Sequence, residues 1–485
     1  MNPFWLSSHR EAPNSRSRLF AAFVLGWALI VLIPATRVWA NEGTKLAQPG
    51  IAVDKGIAVA IGGALKSDNV DVWGRIVSLS GGQGAKWVVF PTASGEPEQS
   101  AKSLIESLQK QGAKAEMIPL SDKLKGFDIR TVVADAKWIA AIDGATGVYF
   151  SGGAQERITA ALYSADGKPT PMLAAIWRLF KRGGVVAGSS AGAAIMSETM
   201  FREPPAILTV MRRGAKWGSE IDRGLGFAGP GVFVDQHFLK RGRIGRMVAV
   251  MAQQEIKLGL GVEENSAAII RGDDVEAIGG RGVLLVDLRA AKQVSAKPLS
   301  VSGATLTWLD RGDRMNLASG SVTPSVIKLS GKKLDHTAAD FKPYNNRVRF
   351  YPDMLGDNTI LFAMSELLDS PAAETRGIAF SAFSAGRAGR SPATASTEAE
   401  DIGFEFRLFK TASTLGYFTS KLGGEDYSIL RMGLDIVPVK MANPLYVPMP
   451  EAGREKAGEN TNTPTSASKS PEQHPAAAPK LENVK

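Results

Sequence analysis

The pattern in this sequence that most directly suggests chemistry is a serine between glycines, in the segment 188–192 (Gly-Ser-Ser-Ala-Gly). It follows the apolar run Val185–Ala187 and precedes a stretch of helical character, which indicates a turn from a strand into a helix. Small flanking residues allow a turn sharp enough to lift the Ser190 hydroxyl clear of a sheet and leave the next backbone N–H beside it. The segment predicts a nucleophilic serine, with a helix-packing turn or a phosphate-binding turn as the other interpretations.

A serine nucleophile needs a general base, and the composition leaves few candidates. The chain has no cysteine and four histidines, which are His9, His237, His336 and His474. Only His237 follows an apolar run within the part of the chain where strand and helix patterns alternate, and it stands two residues after Asp235. We predict that His237 is the base, the alternative being a structural histidine.

The imidazole in turn needs a group that orients it. The run Gly259–Glu264 indicates a strand that ends in two carboxylates, Glu263 and Glu264, and the residues alone do not choose between them. A solvated acidic turn is the other interpretation. The chain order of serine, histidine and acid differs from the usual α/β-hydrolase order, so we expect a different sheet topology.

The elements that must position these residues are short apolar strands separated by amphipathic helices, from Gly56 to about Ala290. Glycine or small polar residues follow several of the strands. This alternation is typical of an α/β fold with a mostly parallel sheet covered by helices on both faces, in which ligands bind at the carboxyl ends of the strands. We therefore predict an α/β catalytic domain over residues 55–290.

The sequence pattern changes beyond residue 290, where turn residues separate several strand-like runs. These runs are Thr305–Trp308, Ser325–Leu329, Arg347–Tyr351 and Gly403–Phe409. They predict a smaller β-rich region over residues 291–450, with a mobile loop at 385–401 that is rich in small residues. Residues 451–485 contain almost no aliphatic side chains, and we expect them to be disordered.

The first 40 residues have the parts of a secretory signal peptide. Arginines precede the fifteen-residue apolar run Leu19–Ile33, and Val38-Trp39-Ala40 is similar to a cleavage site. A membrane span needs about 20 apolar residues, so a retained anchor is the alternative interpretation. We expect a protein exported to the periplasm or the exterior, without stable membrane insertion once the signal is cleaved.

Composition excludes several functions. The absence of cysteine rules out disulfides, thiolate metal sites and a cysteine nucleophile, and four histidines disfavour a multi-histidine metal centre. We predict no metal and no cofactor, although a carboxylate-only cation site stays open. The formal charge is +9, but no dense run of basic residues with interleaved aromatics occurs, so we expect no nucleic-acid partner.

Several segments resemble the cyanophycinases, which are serine peptidases related to the aspartyl dipeptidase called peptidase E. The resembling segments are Phe150–Gln155, Gly188–Ala193 and Asp235–Arg246, together with an acidic turn at Gly261–Ala267. The last of these points to Glu264 rather than Glu263. The resemblance covers about residues 55–290 and does not extend to the C-terminal region.

This resemblance implies a flavodoxin-like α/β fold similar to the class I glutamine amidotransferases. It implies that Ser190 is the nucleophile, that His237 is the base and that Glu264 is the orienting acid. The backbone N–H groups of Gly153 and Ala191 would form the oxyanion hole. No cofactor is implied.

Four further side chains are implied to bind substrate, namely Gln155, Asp235, Gln236 and Arg241. One departure from the family is Ala154, because the family often has aspartate at this position. That departure leaves the fine substrate specificity open and does not affect the nucleophile.

The implied substrate is cyanophycin, a polyaspartate backbone that carries arginine on each β-carboxyl. A secreted serine exopeptidase would release β-aspartyl-arginine dipeptides from it through an acyl-enzyme, and export would suit polymer released by other cells. The alternatives are a related dipeptidase acting on short aspartyl peptides and a catalytically inactive surface-binding protein. A homodimer stays open.

Overall fold

The computed structural model describes residues 56–381, 401–424, 426–442 and 445, all of which lie within one compact unit, Val53–Lys485. The predicted signal peptide at 1–40, the predicted disordered tail at 451–485 and all but the last residue of the predicted loop at 385–401 fall outside the described residues. Within the described part, no helix has the length and apolarity needed to cross a membrane.

The strands of the described part are β1 (Ile57–Ile61), β2 (Lys86–Phe90), β3 (Lys114–Met117), β4 (Gly147–Phe150), β5 (Val185–Ser189), β6 (Thr199–Phe201), β7 (Ile221–Arg223), β8 (Val232–Gln236), β9 (Leu258–Val262), β10 (Ser266–Arg271), β11 (Asp274–Gly279), β12 (Gly282–Asp287), β13 (Gln293–Ala296), β14 (Leu299–Asp310), β15 (Arg314–Asn316), β16 (Val322–Thr323), β17 (Lys332–Leu334), β18 (Glu374–Ala379), β19 (Ile402–Phe409), β20 (Leu415–Thr419) and β21 (Asp426–Lys440).

The helices of the described part are α1 (Val70–Leu79), α2 (Pro97–Lys110), α3 (Ile129–Val132), α4 (Ala136–Gly144), α5 (Gln155–Leu162), α6 (Pro171–Lys181), α7 (Ala191–Ala194), α8 (Ile207–Arg213), α9 (Ile244–Gln253), α10 (Val326–Leu329) and α11 (Thr359–Leu368).

A first sheet has the strand order β16-β15-β11-β10-β1-β5-β4-β2-β3. The strands β1, β5, β4, β2 and β3 run parallel, whereas β10 pairs antiparallel with β1 and begins an antiparallel edge. Alternate residues of β1 enter different hydrophobic clusters: Ala58 and Ala60 pack in one, and Val59 and Ile61 in another. Both faces of β1 are therefore covered, as the α/β prediction requires.

A second sheet has the order β17-β20-β21-β14-β12-β9-β8, with β13 paired to β14, β19 to β21 and β18 to β19. Its strands β8 and β9 are parallel, and β12 pairs antiparallel with β9. This β-rich sheet thus contains both the strand before His237 and the strand before Glu264. The C-terminal strands β14 and β19–β21 extend the same sheet, so the chain beyond residue 290 is physically continuous with the strands that carry two of the predicted site residues.

Two of the predicted C-terminal strands are wrong. The run Ser325–Leu329 contains the short helix α10, whose first turn is capped by the Ser325 side chain, and the buried ammonium of Lys328 pairs with Asp310. In the run Arg347–Tyr351 only Tyr351 forms a bridge, to Gly377. Both runs are five residues long, a length at which alternation does not distinguish a strand from a helix or an extended loop. The runs Thr305–Trp308 and Gly403–Phe409 lie within β14 and β19.

Candidate active site

Ser190 lies at the sharp turn between β5 and α7, and its backbone is in an unusual conformation. Its φ is +53° and its ψ is −107°, a region that non-glycine residues rarely occupy and that costs on the order of 1–3 kcal/mol. Gly188 permits the turn because a Cβ there would overlap the carbonyl of Gly192. The helix that follows ends at Ala194, so it is shorter than the stretch of helical character seen in the sequence.

His237 follows β8 directly and approaches Ser190 with its ring. Ser190 Oγ lies 2.9 Å from His237 Nε2, which is a hydrogen-bond distance. The imidazole is nearly enclosed, with 9% of the side chain exposed, and the His237 backbone has a φ of +49°. The structure therefore brings together the predicted nucleophile and the predicted base.

The acidic turn after β9 supplies the third member of a hydrogen-bonded triad, hereafter the relay, which consists of Ser190, His237 and Glu264. Glu264 Oε1 lies 2.6 Å from His237 Nδ1. Glu263 points elsewhere, because its buried carboxylate accepts a hydrogen bond from the Leu239 N–H. Burial raises the pKa of Glu263. The geometry thus separates two carboxylates that the residue pattern alone left equivalent, and it is Glu264 that contacts the imidazole.

The surroundings of His237 favour the neutral ring. Burial lowers the pKa of His237, while the hydrogen bond from its ring to Glu264 acts in the opposite direction. With Nδ1–H donating to Glu264, Nε2 carries a lone pair that faces the Ser190 hydroxyl. A neutral imidazole in this orientation can accept the serine proton.

The carboxyl end of β1 is a site element that sequence reasoning missed. The three carbonyls of residues 61–63 accept, in order, the backbone N–H groups of Ser190 (3.0 Å), His237 (2.7 Å) and Asn265 (2.8 Å). One tripeptide therefore fixes the backbone beside all three members of the relay. The available signal was the glycine pair that follows a fully buried apolar strand.

Gly63 in that tripeptide also makes room for the His237 ring. A Cβ at this position would overlap the ring of His237, and the φ of +102° disfavours any side chain. The imidazole consequently packs directly against backbone. No residue larger than glycine fits there with the ring in its observed place.

The two segments predicted to supply the oxyanion hole both adjoin Ser190. Ala191 is the first residue of α7, so its N–H has no acceptor within the helix. The loop that contains Gly153 passes beside the serine, since a Cβ on Gly152 would lie 3.3 Å from the Ser190 Cβ. Gly153 itself is exposed and has a φ of +137°.

Asp235 and Gln236, predicted to bind substrate, lie inside the protein. Asp235 is 1% exposed, and Arg246 donates to both of its carboxylate oxygens at 2.8 Å and 2.6 Å. Arg243 donates to the side-chain oxygen of Gln236 and to its backbone carbonyl. Burial lowers the pKa of Arg243 to about 10. These four side chains form a largely buried polar network beside residues 237–242, the catalytic turn, and they present no free carboxylate at the site surface.

The other two predicted substrate residues have different surroundings. The Gln155 amide donates to the carbonyls of Phe201 (3.0 Å) and Arg202 (2.7 Å), which ties the start of α5 to β6. Arg241 is about half exposed, and its Nη2 lies 3.9 Å from Glu264 Oε1. Of the four, Arg241 is therefore the side chain that offers an open charged group at the rim of the site.

The arrangement has the parts needed for nucleophilic catalysis on a carbonyl carbon. A hydroxyl on a strained turn, a neutral imidazole and an orienting carboxylate follow one another at hydrogen-bond distances, with backbone N–H groups nearby. Among the described residues, no cluster of three or more histidine, aspartate and glutamate side chains is suited to hold a metal ion.

Comparisons with known proteins agree with this chemistry. Residues 58–278 match the family model described as Peptidase family S51. The chain is 29% identical over 288 residues to a protein named cyanophycinase from Trichormus variabilis, which covers 57% of this chain and 90% of that protein. It is also 29% identical over 287 residues to the cyanophycinase of Geminocystis herdmanii, covering 56% and 97%.

Solved structures with related descriptions also align with part of the chain. A peptidase from an acI-B1 actinobacterium aligns with a TM-score of 0.40 and 18% identity, covering 54% of this chain and 97% of that one. A putative peptidase E protein from Listeria monocytogenes aligns with a TM-score of 0.32 and 17% identity, covering 46% and 98%.

Proposed function

For this serine peptidase, whose residues 58–278 match peptidase family S51, we propose that it hydrolyses cyanophycin to β-aspartyl-arginine dipeptides through an acyl-enzyme on Ser190. The observation that carries the proposal is the relay in which Glu264, His237 and Ser190 follow one another at 2.6 Å and 2.9 Å. The similarity to proteins named cyanophycinase supports the choice of substrate. The match to a peptidase family favours an enzyme over the surface-binding protein.

The proposed reaction begins with attack of the Ser190 oxygen on the scissile backbone carbonyl while His237 Nε2 accepts the hydroxyl proton. The N–H groups of Gly153 and Ala191 would stabilise the negative oxygen of the tetrahedral intermediate. Glu264 would stabilise the imidazolium, which then protonates the leaving amine. Water attacks the resulting ester by the reverse proton path, releasing the carboxylate product and restoring the serine.

Recognition of this substrate requires groups of both charge signs, because each repeating unit presents a guanidinium and a free carboxylate. The exposed guanidinium of Arg241 is suited to bind a carboxylate through two parallel N–H bonds. We assign that contact to Arg241 because Asp235 and Gln236 are occupied inside the protein. Those two residues then act on substrate indirectly, by holding the catalytic turn.

We further propose that the enzyme is exported and acts on polymer released by other cells. The basis is the pattern of the first 40 residues, with arginines ahead of a fifteen-residue apolar run. Cell fractionation of a tagged full-length chain tests this proposal. Recovery of the mature protein only from the cytosol would contradict export and leave the proposed chemistry untouched.

The chemistry is tested by incubating the purified protein with insoluble cyanophycin and identifying the soluble products by mass spectrometry. We expect β-aspartyl-arginine from the natural chain and essentially none from Ser190→Ala, because loss of the nucleophile removes several orders of magnitude in rate. Preferential cleavage of short aspartyl dipeptides would instead indicate the related dipeptidase. Undiminished product from Ser190→Ala would disprove the proposed nucleophile.

A further inference from the structure

We propose that the segment Tyr351–Asn358 of the C-terminal region is a positioning element for the catalytic turn formed by residues 237–242. The inference rests on the proposed function, since it takes His237 to be the base. It adds a contribution from outside residues 58–278, the part of the chain that matches the peptidase family.

Three contacts join this segment to the catalytic turn. The Asn358 N–H donates to the carbonyl of Leu239 at 3.1 Å. The backbones of Gly242 and Leu355 touch so closely that a Cβ on Gly242 would overlap the Leu355 carbonyl. The Lys240 ammonium forms an ion pair with Asp357.

These contacts hold the turn from the side opposite the acidic turn. The Leu239 peptide N–H is bound by Glu263, and the Leu239 carbonyl is bound by Asn358. Leu239 is two residues from His237, whose φ of +49° is costly for a non-glycine residue. A strained conformation persists where its surroundings fix it, and here one fixing group belongs to each of two regions of the chain.

The segment is itself firmly attached to the second sheet. Three backbone hydrogen bonds make this attachment. The Tyr351 N–H donates to the Arg376 carbonyl (3.0 Å), and the Ile378 N–H donates to the Tyr351 carbonyl (2.9 Å). The Met354 N–H donates to the Ile378 carbonyl (2.8 Å). Its other end runs into α11, whose apolar face is buried in the core against β19 and β21. The segment can therefore transmit the rigidity of the C-terminal strands to the catalytic turn.

Asn358 offers a matched pair of substitutions. Its φ is +56° and its ψ is +12°, a left-handed conformation that asparagine and glycine adopt readily and β-branched residues avoid. Asn358→Gly keeps the backbone path and the N–H to Leu239. Asn358→Val drives the backbone away from that path and should break the hydrogen bond.

A control for general loss of stability lies elsewhere in the same region. Arg431 has a φ of +54° and lies in β21, which β14 and β12 separate from β9 in the sheet. Arg431→Val imposes the same kind of backbone strain without touching the turn. Its thermal unfolding should therefore shift as that of Asn358→Val does, while its catalytic properties should not.

The experiment measures kcat, KM and the pH dependence of kcat/KM on a soluble β-aspartyl-arginine oligomer, below the unfolding temperature of every variant. For Asn358→Val we expect kcat to fall by about 10-fold to 100-fold, because small misplacements of a catalytic group have effects of this size. We also expect the acid limb of the kcat/KM profile to move to higher pH. Burial is the largest cause of the lowered pKa of His237, and a loosened turn would leave the ring better hydrated. Asn358→Gly and Arg431→Val should keep the natural pH profile and most of kcat.

A natural pH profile and a kcat within about threefold of the natural value in folded Asn358→Val would overturn the positioning role. If that variant does not fold, Asp357→Ala tests the positioning role instead. The ion pair of Asp357 with Lys240 is exposed, so its loss should leave the protein folded. We expect kcat of Asp357→Ala to fall about twofold to fivefold at low salt, with the difference from the natural chain vanishing at high salt. An unchanged kcat at low salt would count against the proposal. Activity surviving Ser190→Ala would instead remove the proposed function itself, so the two failures are distinguishable.

Discussion

The proposed nucleophile and its two proposed partners follow strands of different sheets. Ser190 leaves β5 of the first sheet at a sharp turn formed by a run of small residues. His237 and Glu264 leave β8 and β9, which belong to a second sheet completed by strands from the far end of the chain. The first half of the site, the turn at Ser190, is thus recognisable from neighbouring residues, whereas the second half, His237 and Glu264, lies on a sheet that pairs residues more than a hundred positions apart.

The two halves meet at the carboxyl end of β1. Its last carbonyls bind the backbone of Ser190 from one sheet and the backbone of His237 from the other. The backbones of Ser190 and His237 are consequently held beside each other by one tripeptide, residues 61–63. Changes near this junction should affect the rate more strongly than changes within either sheet.

The largest expected effect comes from the pair of adjacent carboxylates at the end of β9. Glu264→Gln should lower kcat by about 10⁴-fold, because the amide no longer stabilises the imidazolium or selects the required tautomer. Glu263→Gln is the matched control, since its amide oxygen can still accept the Leu239 N–H and the side chain does not touch the ring. It should mainly lower the unfolding temperature. Equal losses of kcat in the two variants would contradict the different roles assigned to Glu264 and Glu263.

The three side chains that the structure brings together were predicted from patterns that are local in the sequence. A serine between glycines, a histidine after an apolar strand and a pair of acids after another strand are all visible within a few residues. The choice between the two acids came from the family resemblance and not from the residue pattern. Their orientations depend on the pairing of β9 with β8 and β12, which no local pattern specifies.

The burial of Asp235 was equally hidden from the sequence. Its partner Arg246 is eleven residues away, on α9, and only the packing of that helix brings the two charges together. The α/β fold class followed from the alternation of strands and helices. The shared second sheet could not be predicted in this way, because it pairs β14 with β21 across a long stretch of intervening chain.

The next largest loss of kcat is expected from a change in residues 61–63, where the two halves of the site meet. Gly63→Ala should lower kcat by about 100-fold or more, since the added methyl group overlaps the His237 ring and must displace it. Gly82→Ala is a suitable control, because Gly82 also has a positive φ but has open space around its Cβ position. Both variants should lose some thermal stability, measured by calorimetry. Only the first should lose activity at temperatures where both are folded.

A smaller effect is expected at the rim, where the second half of the site meets solvent. Arg241→Ala should raise KM by about 10-fold to 100-fold with little change in kcat, as expected for loss of a charge-assisted contact to a substrate carboxylate. Arg241→Lys should recover part of the loss, because the charge returns without the two-pronged geometry. Steady-state kinetics on the soluble oligomer separates the two parameters. A fall in kcat at constant KM would place Arg241 in the chemical step instead.

The smallest expected effect is on the pH dependence of kcat/KM, which reports the pKa of His237. Burial lowers the pKa of His237, so the acid limb of kcat/KM should lie below the range of an ordinary histidine, with activity lost as pH falls and the ring becomes protonated. The positive charge of Arg241 contributes in the same direction. Arg241→Gln should therefore move the acid limb slightly upward, whereas a substitution in the turn between α1 and β2, such as Gly82→Ala, should leave it in place. A downward movement of the acid limb in Arg241→Gln would contradict this account, because removing a positive charge beside the ring raises the pKa of His237 both directly and by leaving Glu264 unscreened.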